Sequence, residues 1–303
     1  MNVVIKVNDE VKEKMIKYYK DKMRDKVIPY VVFQAQEEDT VITMYESGKV
    51  MFQGLSADVD ASMWSHVSSN SKEEVAKEKI IDQKYYNCSS IGSDEVGTGD
   101  YFGPIVVTAA YVNKENIEFL QKVGVGDSKK ITDDKILKIA PEIAKKLKYK
   151  SIILSNSEYN KKHSTDNNMN KIKAIMHNSA LYQLVNSIDE VYDMIVVDEF
   201  AKENRYYEYL KDVNPVQKGI TFLTKAEDKN LAVAAASIIS RYIFLKEFDK
   251  LSDSVGLPLP KGASKEVDKI GEELVEKFSE DKLKEVAKLN FKNTERILHT
   301  MIY

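Results

Sequence analysis

The sequence predicts two layered domains, a small α+β unit followed by a larger α/β unit. Three observations carry that prediction. The first 70 residues read as a strand, an amphipathic helix, three short strands and a second helix. Residues 67–90 are polar, serine-rich and poor in aliphatic side chains. Beyond them, apolar strands alternate with long helical patterns to the end of the 303-residue chain. The expected boundaries are 1–70 for the first domain, 71–87 for a linker and 88–303 for the second domain.

Asn2 to Val7 alternates weakly and reads as a strand. Asn8 or Asp9 caps a helix expected to run to about Lys26, with Val11, Met15, Tyr18, Tyr19 and Met23 on or near one face. Strands follow at Tyr30 to Ala35, Thr40 to Tyr45 and Lys49 to Gln53, and the turns between them are short and polar. A helix starting near Ser56 carries Val59, Met63 and Trp64. The order β-α-β-β-β-α makes a sheet with helices on one side, so its other face is either covered or functional. In the second domain, strands are expected into Ser93 and at Pro104 to Val112, Ser151 to Ser155, Met194 to Val197 and Ile220 to Leu223. Helices are expected at Thr132 to Leu147, Met169 to Ser187, Leu231 to Asp249, Ser264 to Phe278 and Asp281 to Leu289.

Composition narrows the class. Hydrophobic residues are 43% and charged residues 31%, which gives a real core and a charged surface. A single cysteine, Cys88, makes no internal disulfide and no thiolate zinc site. The start carries Lys6, Asp9 and Glu10 where a signal peptide needs an apolar run, and no stretch approaches a membrane span. The expectation is a cytoplasmic protein with no membrane association. The net charge of -3 argues little either way, because seven basic and three acidic residues cluster between Lys12 and Lys26.

The sharpest feature is the run Ile91 to Pro104. Two adjacent acids, Asp94 and Glu95, end an apolar strand just before Gly97, Gly99 and Gly103. Adjacent strand residues point to opposite faces, so both acids reach one centre only at a fraying strand or a sheet edge. Glycines there let the backbone approach a ligand. The spacing fits neither a dinucleotide fingerprint nor a P-loop. Asp198 ends a second apolar strand, where open α/β sheets place their sites. Glu227 and Asp228 precede an alanine-rich helix, a position equally suited to ordinary capping. Carboxylates without cysteine, and with four histidines in no zinc spacing, point to a hard cation such as magnesium or manganese and to phosphate chemistry. His177, inside an amphipathic helix, reads as packed or surface-exposed rather than catalytic. Ser128, Lys129 and Lys130 either contact phosphate oxygens or form a solvated turn.

These residues resemble the type 2 ribonucleases H. Asp94-Glu-Val-Gly-Thr-Gly with Gly103-Pro104 is similar to that family's opening signature. Asp127-Ser-Lys-Lys, Asp198, Lys225-Ala-Glu with its following helix, Leu259-Pro-Lys-Gly and Lys288-Leu-Asn-Phe-Lys-Asn-Thr294 resemble the later blocks, in order. Thr98 in place of an arginine, Glu227 in place of an aspartate and the additional amino-terminal domain resemble the HIII subfamily. The resemblance implies a ribonuclease H-like catalytic domain with a mixed central sheet and additional carboxy-terminal helices, preceded by a domain like the TATA-binding protein. It implies endonucleolytic hydrolysis of the RNA strand of RNA/DNA hybrids by two-metal-ion in-line attack, leaving 5′-phosphate and 3′-hydroxyl ends. The implied catalytic and metal ligands are Asp94, Glu95, Asp198 and Glu227, with Mg2+ or Mn2+. Gly97, Thr98, Gly99, Ser128 and Lys129 are the expected substrate contacts. The partner is a hybrid duplex, with no obligatory protein partner. In the first domain, either the sheet face or Lys12, Lys14 and Lys26 grip the duplex.

Overall fold

The computed structural model describes residues 2–24, 29–37, 39–54, 56–65, 85–125 and 131–300. The chain divides into two compact units, 1–79 and 80–303. The expected linker, 71–87, falls largely outside the described residues.

The first unit comprises β1 (Asn2–Lys6), α1 (Asp9–Tyr18), β2 (Val31–Glu37), β3 (Thr40–Tyr45), β4 (Lys49–Gln53) and α2 (Ala57–Ser65). Its strands form an antiparallel sheet in the order β1-β4-β3-β2. Asn8 caps α1 by accepting from the Val11 N–H at 3.0 Å. The helix stops at Tyr18, well before Lys26, which lies outside the described residues. The reason is packing. Tyr19 is fully buried, and its hydroxyl accepts from Trp64 Nε1 at 2.9 Å. Met23 pairs with Ala35 at the sheet. A continued helix would take both residues away from these partners. Phe33, Ala35, Ile42, Met44, Val50 and Phe52 line the face under the helices, packed against Val11, Met15, Ala61 and Trp64. Strand alternation turns Val4, Gln34, Gln36, Thr43 and Met51 to the opposite face.

The second unit comprises β5 (Ser90–Val96), β6 (Ile105–Val112), α3 (Lys114–Val123), α4 (Asp133–Lys146), β7 (Lys148–Leu154), α5 (Asn156–Lys162), α6 (Met169–Val185), β8 (Met194–Asp198), α7 (Glu203–Tyr209), β9 (Ile220–Leu223), α8 (Ala226–Lys229), α9 (Leu231–Val255), α10 (Lys265–Phe278), α11 (Glu280–Val286) and α12 (Lys292–Thr300). The sheet order is β7-β6-β5-β8-β9. β5, β6 and β7 pair antiparallel, whereas β5, β8 and β9 pair parallel, so the sheet is mixed.

Helices cover both faces. α9 packs across β5 and β6 on one side, and α6 packs across β5, β6 and β7 on the other. The alanine-rich start of α9 allows a very close approach. A Cβ on Gly92 would sit 2.3 Å from the Val233 backbone nitrogen, so only glycine fits there. α9 runs past the expected Asp249 to Val255, where Gly256 caps it in the left-handed conformation at φ +61°. α3, α5, α7 and α12 are helices beyond those expected, although α3 and α12 are clearly amphipathic. Among the described residues, no helix is long and apolar enough to cross a membrane.

Candidate active site

β5 sends its two acids to opposite sides of the sheet. Asp94 lies on the α9 side, where Ser237 hydrogen-bonds its carboxyl and Ser240 Oγ donates to its backbone carbonyl at 3.1 Å. Glu95 lies on the α6 side. One of its oxygens is ion-paired with Lys173 and the other is bonded to His177 Nε2 at 2.9 Å. His177 Nδ1 meets Ser93 Oγ at 2.8 Å, and Lys173 Nζ stands 4.1 Å from the centre of the Phe200 ring. Lys173 and His177 are one helical turn apart, so a single face of α6 supplies both partners.

The two environments move ionisation in opposite directions. Burial, then the charges of Glu95 and Glu227, push the Asp94 carboxyl up to about 7, against the Ser237 hydrogen bond. Burial pushes Glu95 up as well, but His177 and Lys173 outweigh it and hold the carboxyl down at about 2.

The other two acids arrive from the neighbouring strand and the loop beyond it. β8 lies parallel to β5 with Ser93 beside Val197, which puts Asp198 next to Asp94 in the strand register. Asp198 Oδ1 accepts from the Ala226 N–H at 2.8 Å, tying the start of α8, and with it Glu227, to the end of β8. Burial is the largest cause raising Asp198, and the charges of Glu227 and Glu95 add to it. The charges of Glu95 and Glu227 therefore bear on both Asp94 and Asp198. Even so, among the described residues no three histidine, cysteine, aspartate or glutamate side chains are close enough together to hold an ion in this conformation.

After β5 the chain forms the glycine-rich loop. Gly97 has φ +95°, and a Cβ there would lie 2.1 Å from the Pro104 carbonyl oxygen, so its glycine is required by the fold. Gly99 differs. A Cβ on it would meet nothing within 4 Å, so among the described residues no steric reason makes it glycine.

Other expected contacts are placed less directly. Ser128 and Lys129 lie outside the described residues, as does Lys26. Lys14 is paired with Glu10 at 2.7 Å, and Lys12 with Asp9 at 3.0 Å, so their charges are matched within α1. His177 is fully buried, within the packed-or-exposed expectation, and in addition it bonds the candidate ligand Glu95. Its spacing to Lys173 on α6 was the available signal. Nothing local in the sequence links either residue to Glu95.

Comparison with known proteins adds the family. A family model described as Ribonuclease HII matches residues 91–294, and a domain of unknown function, DUF3378, matches residues 2–77. The chain is 41% identical to a Ribonuclease HIII from Bacillus cereus, covering 99% of both chains. It is 40% identical to a Ribonuclease HIII from Bacillus thuringiensis, covering 97% of both. The crystal structure of Bst-RNase HIII in complex with Mn2+ superposes with a TM-score of 0.72 at 38% identity, covering 99% of both chains.

Proposed function

The chain belongs to the ribonuclease HIII branch of the ribonuclease HII family, and we propose that Asp94, Glu95, Asp198 and Glu227 hold the divalent cations of its reaction. That reaction is the endonucleolytic hydrolysis of the RNA strand of RNA/DNA hybrids, with Mg2+ or Mn2+ as cofactor. The observation that carries the ligand assignment is placement: β8 sets Asp198 beside Asp94 in the strand register, and the bond from the Ala226 N–H to Asp198 brings in Glu227. Burial and two acidic neighbours oppose the ionisation of Asp94, a penalty that a bound cation would offset. The donor set is carboxylate oxygen throughout, which suits a hard cation on a phosphate substrate.

When bound, such cations lower the pKa of the attacking water and neutralise charge on the phosphate and the leaving 3′ oxygen. The residues of the chain do the rest. Ser237 orients Asp94, the Ala226 N–H orients Asp198, and Lys173 with His177 keeps Glu95 ionised and pointed. Gly99 leaves space for close backbone approach to the RNA sugar, whose 2′-hydroxyl distinguishes RNA from DNA. Ser128 and Lys129 are assigned to phosphate oxygens. The products carry 5′-phosphate and 3′-hydroxyl ends. The protein acts in the cytoplasm and needs no protein partner.

The domain boundaries 1–70 and 88–303 separate substrate grip from chemistry. The sheet face of the first domain, with Val4, Gln34 and Met51, binds the duplex. α1 is the weaker candidate, because Lys12 and Lys14 are already paired. Replacing Gln34 and Met51 together by glutamate should raise the hybrid Kd about tenfold, ~1.4 kcal/mol. K12A with K14A should change it much less, and the reverse ranking would move the grip to α1.

Thr98 stands where the family's other branch carries an arginine. A continuous hybrid should therefore be cut much faster than a duplex with one embedded ribonucleotide. Cleavage of both substrates during a magnesium and manganese titration tests the reading. No cation-dependent cleavage of the hybrid would overturn it.

A further inference from the structure

The glycine-rich loop is fastened from behind by a buried amine. Lys288 lies between α11 and α12 and is fully buried. Its Nζ donates to the carbonyl oxygen of Asp100 at 2.8 Å and to that of Gly103. Its backbone N–H donates to the Tyr101 carbonyl, also at 2.8 Å. One residue thus holds three carbonyls of the loop, from nearly two hundred positions further along the chain.

Neighbours complete the hold. The Gly262 N–H donates to Asp100 Oδ1 at 2.6 Å, and its carbonyl accepts from the Tyr101 N–H at 2.8 Å. Asn156 Nδ2 donates to the Gly103 carbonyl at 2.9 Å. Asp100 also closes the turn backwards, donating its N–H to the Gly97 carbonyl at 3.5 Å. Gly99, whose Cβ side meets nothing within 4 Å among the described residues, is within that turn.

A buried amine is an expensive anchor. Desolvation pushes Lys288 down to about 7, and the charge of Asp100 only partly opposes it. An unbranched apolar residue such as methionine would fill much of the same space without that penalty. What it would not supply is a donor for the Asp100 carbonyl. The amine sits at the carbonyls of Asp100 and Gly103, in the segment that follows Gly99.

We propose that Lys288 is a positioning residue for RNA recognition: by holding the Asp100 and Gly103 carbonyls it fixes the turn that presents Thr98 and Gly99 to the RNA sugar. The inference rests on the reading of that turn as the sugar contact. Loss of the amine lets the turn sample other orientations, so each productive encounter must first reorder it. Substrate binding weakens, while the carboxylates that do the chemistry stay in place.

The test is steady-state cleavage of a continuous hybrid by full-length K288M with Mn2+, alongside amide hydrogen exchange of the peptide spanning 97–103. KM should rise about tenfold with kcat within about threefold of wild type, and the 97–103 amides should exchange faster. K288Q, which keeps an amide donor, should recover part of the KM loss, and it decides the matter if K288M does not fold. A KM within about twofold of wild type in a folded variant overturns the inference, even if exchange is faster, because the contact is then structural only. A fall in kcat at unchanged KM overturns it as well. The reading of the turn as the sugar contact fails differently, through a G99A variant that cuts the hybrid with an unchanged KM.

Discussion

The two sides of β5 handle neighbouring acids in opposite ways. On the α9 side, Asp94 meets hydroxyls, burial and like charge, and its carboxyl is pushed up to about 7. On the α6 side, Glu95 meets Lys173 and His177 and is held down at about 2. One strand therefore carries one acid that lacks positive charge and one that already has it. The comparison teaches that the four carboxylates are not equivalent. Asp94 is the residue whose ionisation depends most on a cation that the chain does not itself supply.

Breaking the Asp94 side should have the largest effect. D94N keeps shape and hydrogen bonding while removing the charge, and hybrid cleavage should fall by at least ~100-fold. The metal-free variant should also melt higher than wild type at pH 8. The sign follows from linkage. A native pKa of about 7 lies above the ordinary aspartate value, so between those two values the native state binds a proton that the unfolded chain has lost. Asp94 therefore removes stability as pH rises through that window, and asparagine does not. Equal melting temperatures at pH 8 would break the comparison.

On the opposite side, K173M leaves a buried carboxylate with one of its two partners. Removing one member of a buried pair costs about 3 kcal/mol or more. The melting temperature should drop by several degrees, and K173M/E95Q should regain part of the loss. The sign for Glu95 is the reverse of that for Asp94. Its depressed pKa adds stability that is present above the ordinary glutamate value and is lost as pH falls towards about 2. A folded K173M as stable as wild type would mean that the ion pair contributes little.

Cation affinity sharpens the contrast at a smaller scale. A proton on Asp94 competes with the cation, so Mn2+ affinity measured by calorimetry should weaken as pH falls, by up to about tenfold per pH unit. E95Q should keep that dependence and D94N should lose it. The smallest effect belongs to S237A. Ser237 lowers the Asp94 pKa, so its removal should move the pH midpoint of activity upward by less than about one unit. A downward shift would place the titrating group elsewhere.

Strand ends and glycines made the proposed site residues legible in the sequence as candidates. Asp94, Glu95 and Asp198 stand out because each terminates an apolar run, and the opposite-face problem for Asp94 and Glu95 follows from strand geometry alone. The two layered units were likewise readable from the period of their elements. The partners were not. Lys173 and His177 reach Glu95 only because α6 crosses the back of the sheet, which a local pattern does not encode. Lys288 reads as one lysine among many until the fold buries it against the glycine-rich loop. Helix α1 shows the same limit, since a favourable helical pattern gave way at Tyr19 to burial against Trp64.

The central claim is that Asp94, Glu95, Asp198 and Glu227 jointly hold the cations that cleave the hybrid. Mn2+ binding in the presence of a non-cleavable hybrid tests it most directly, in wild type and in D94N, E95Q, D198N and E227Q. Each variant should lose affinity or stoichiometry relative to wild type, with D94N losing most. A variant that binds Mn2+ with wild-type affinity and stoichiometry would remove its residue from the ligand set, and four such variants would contradict the account.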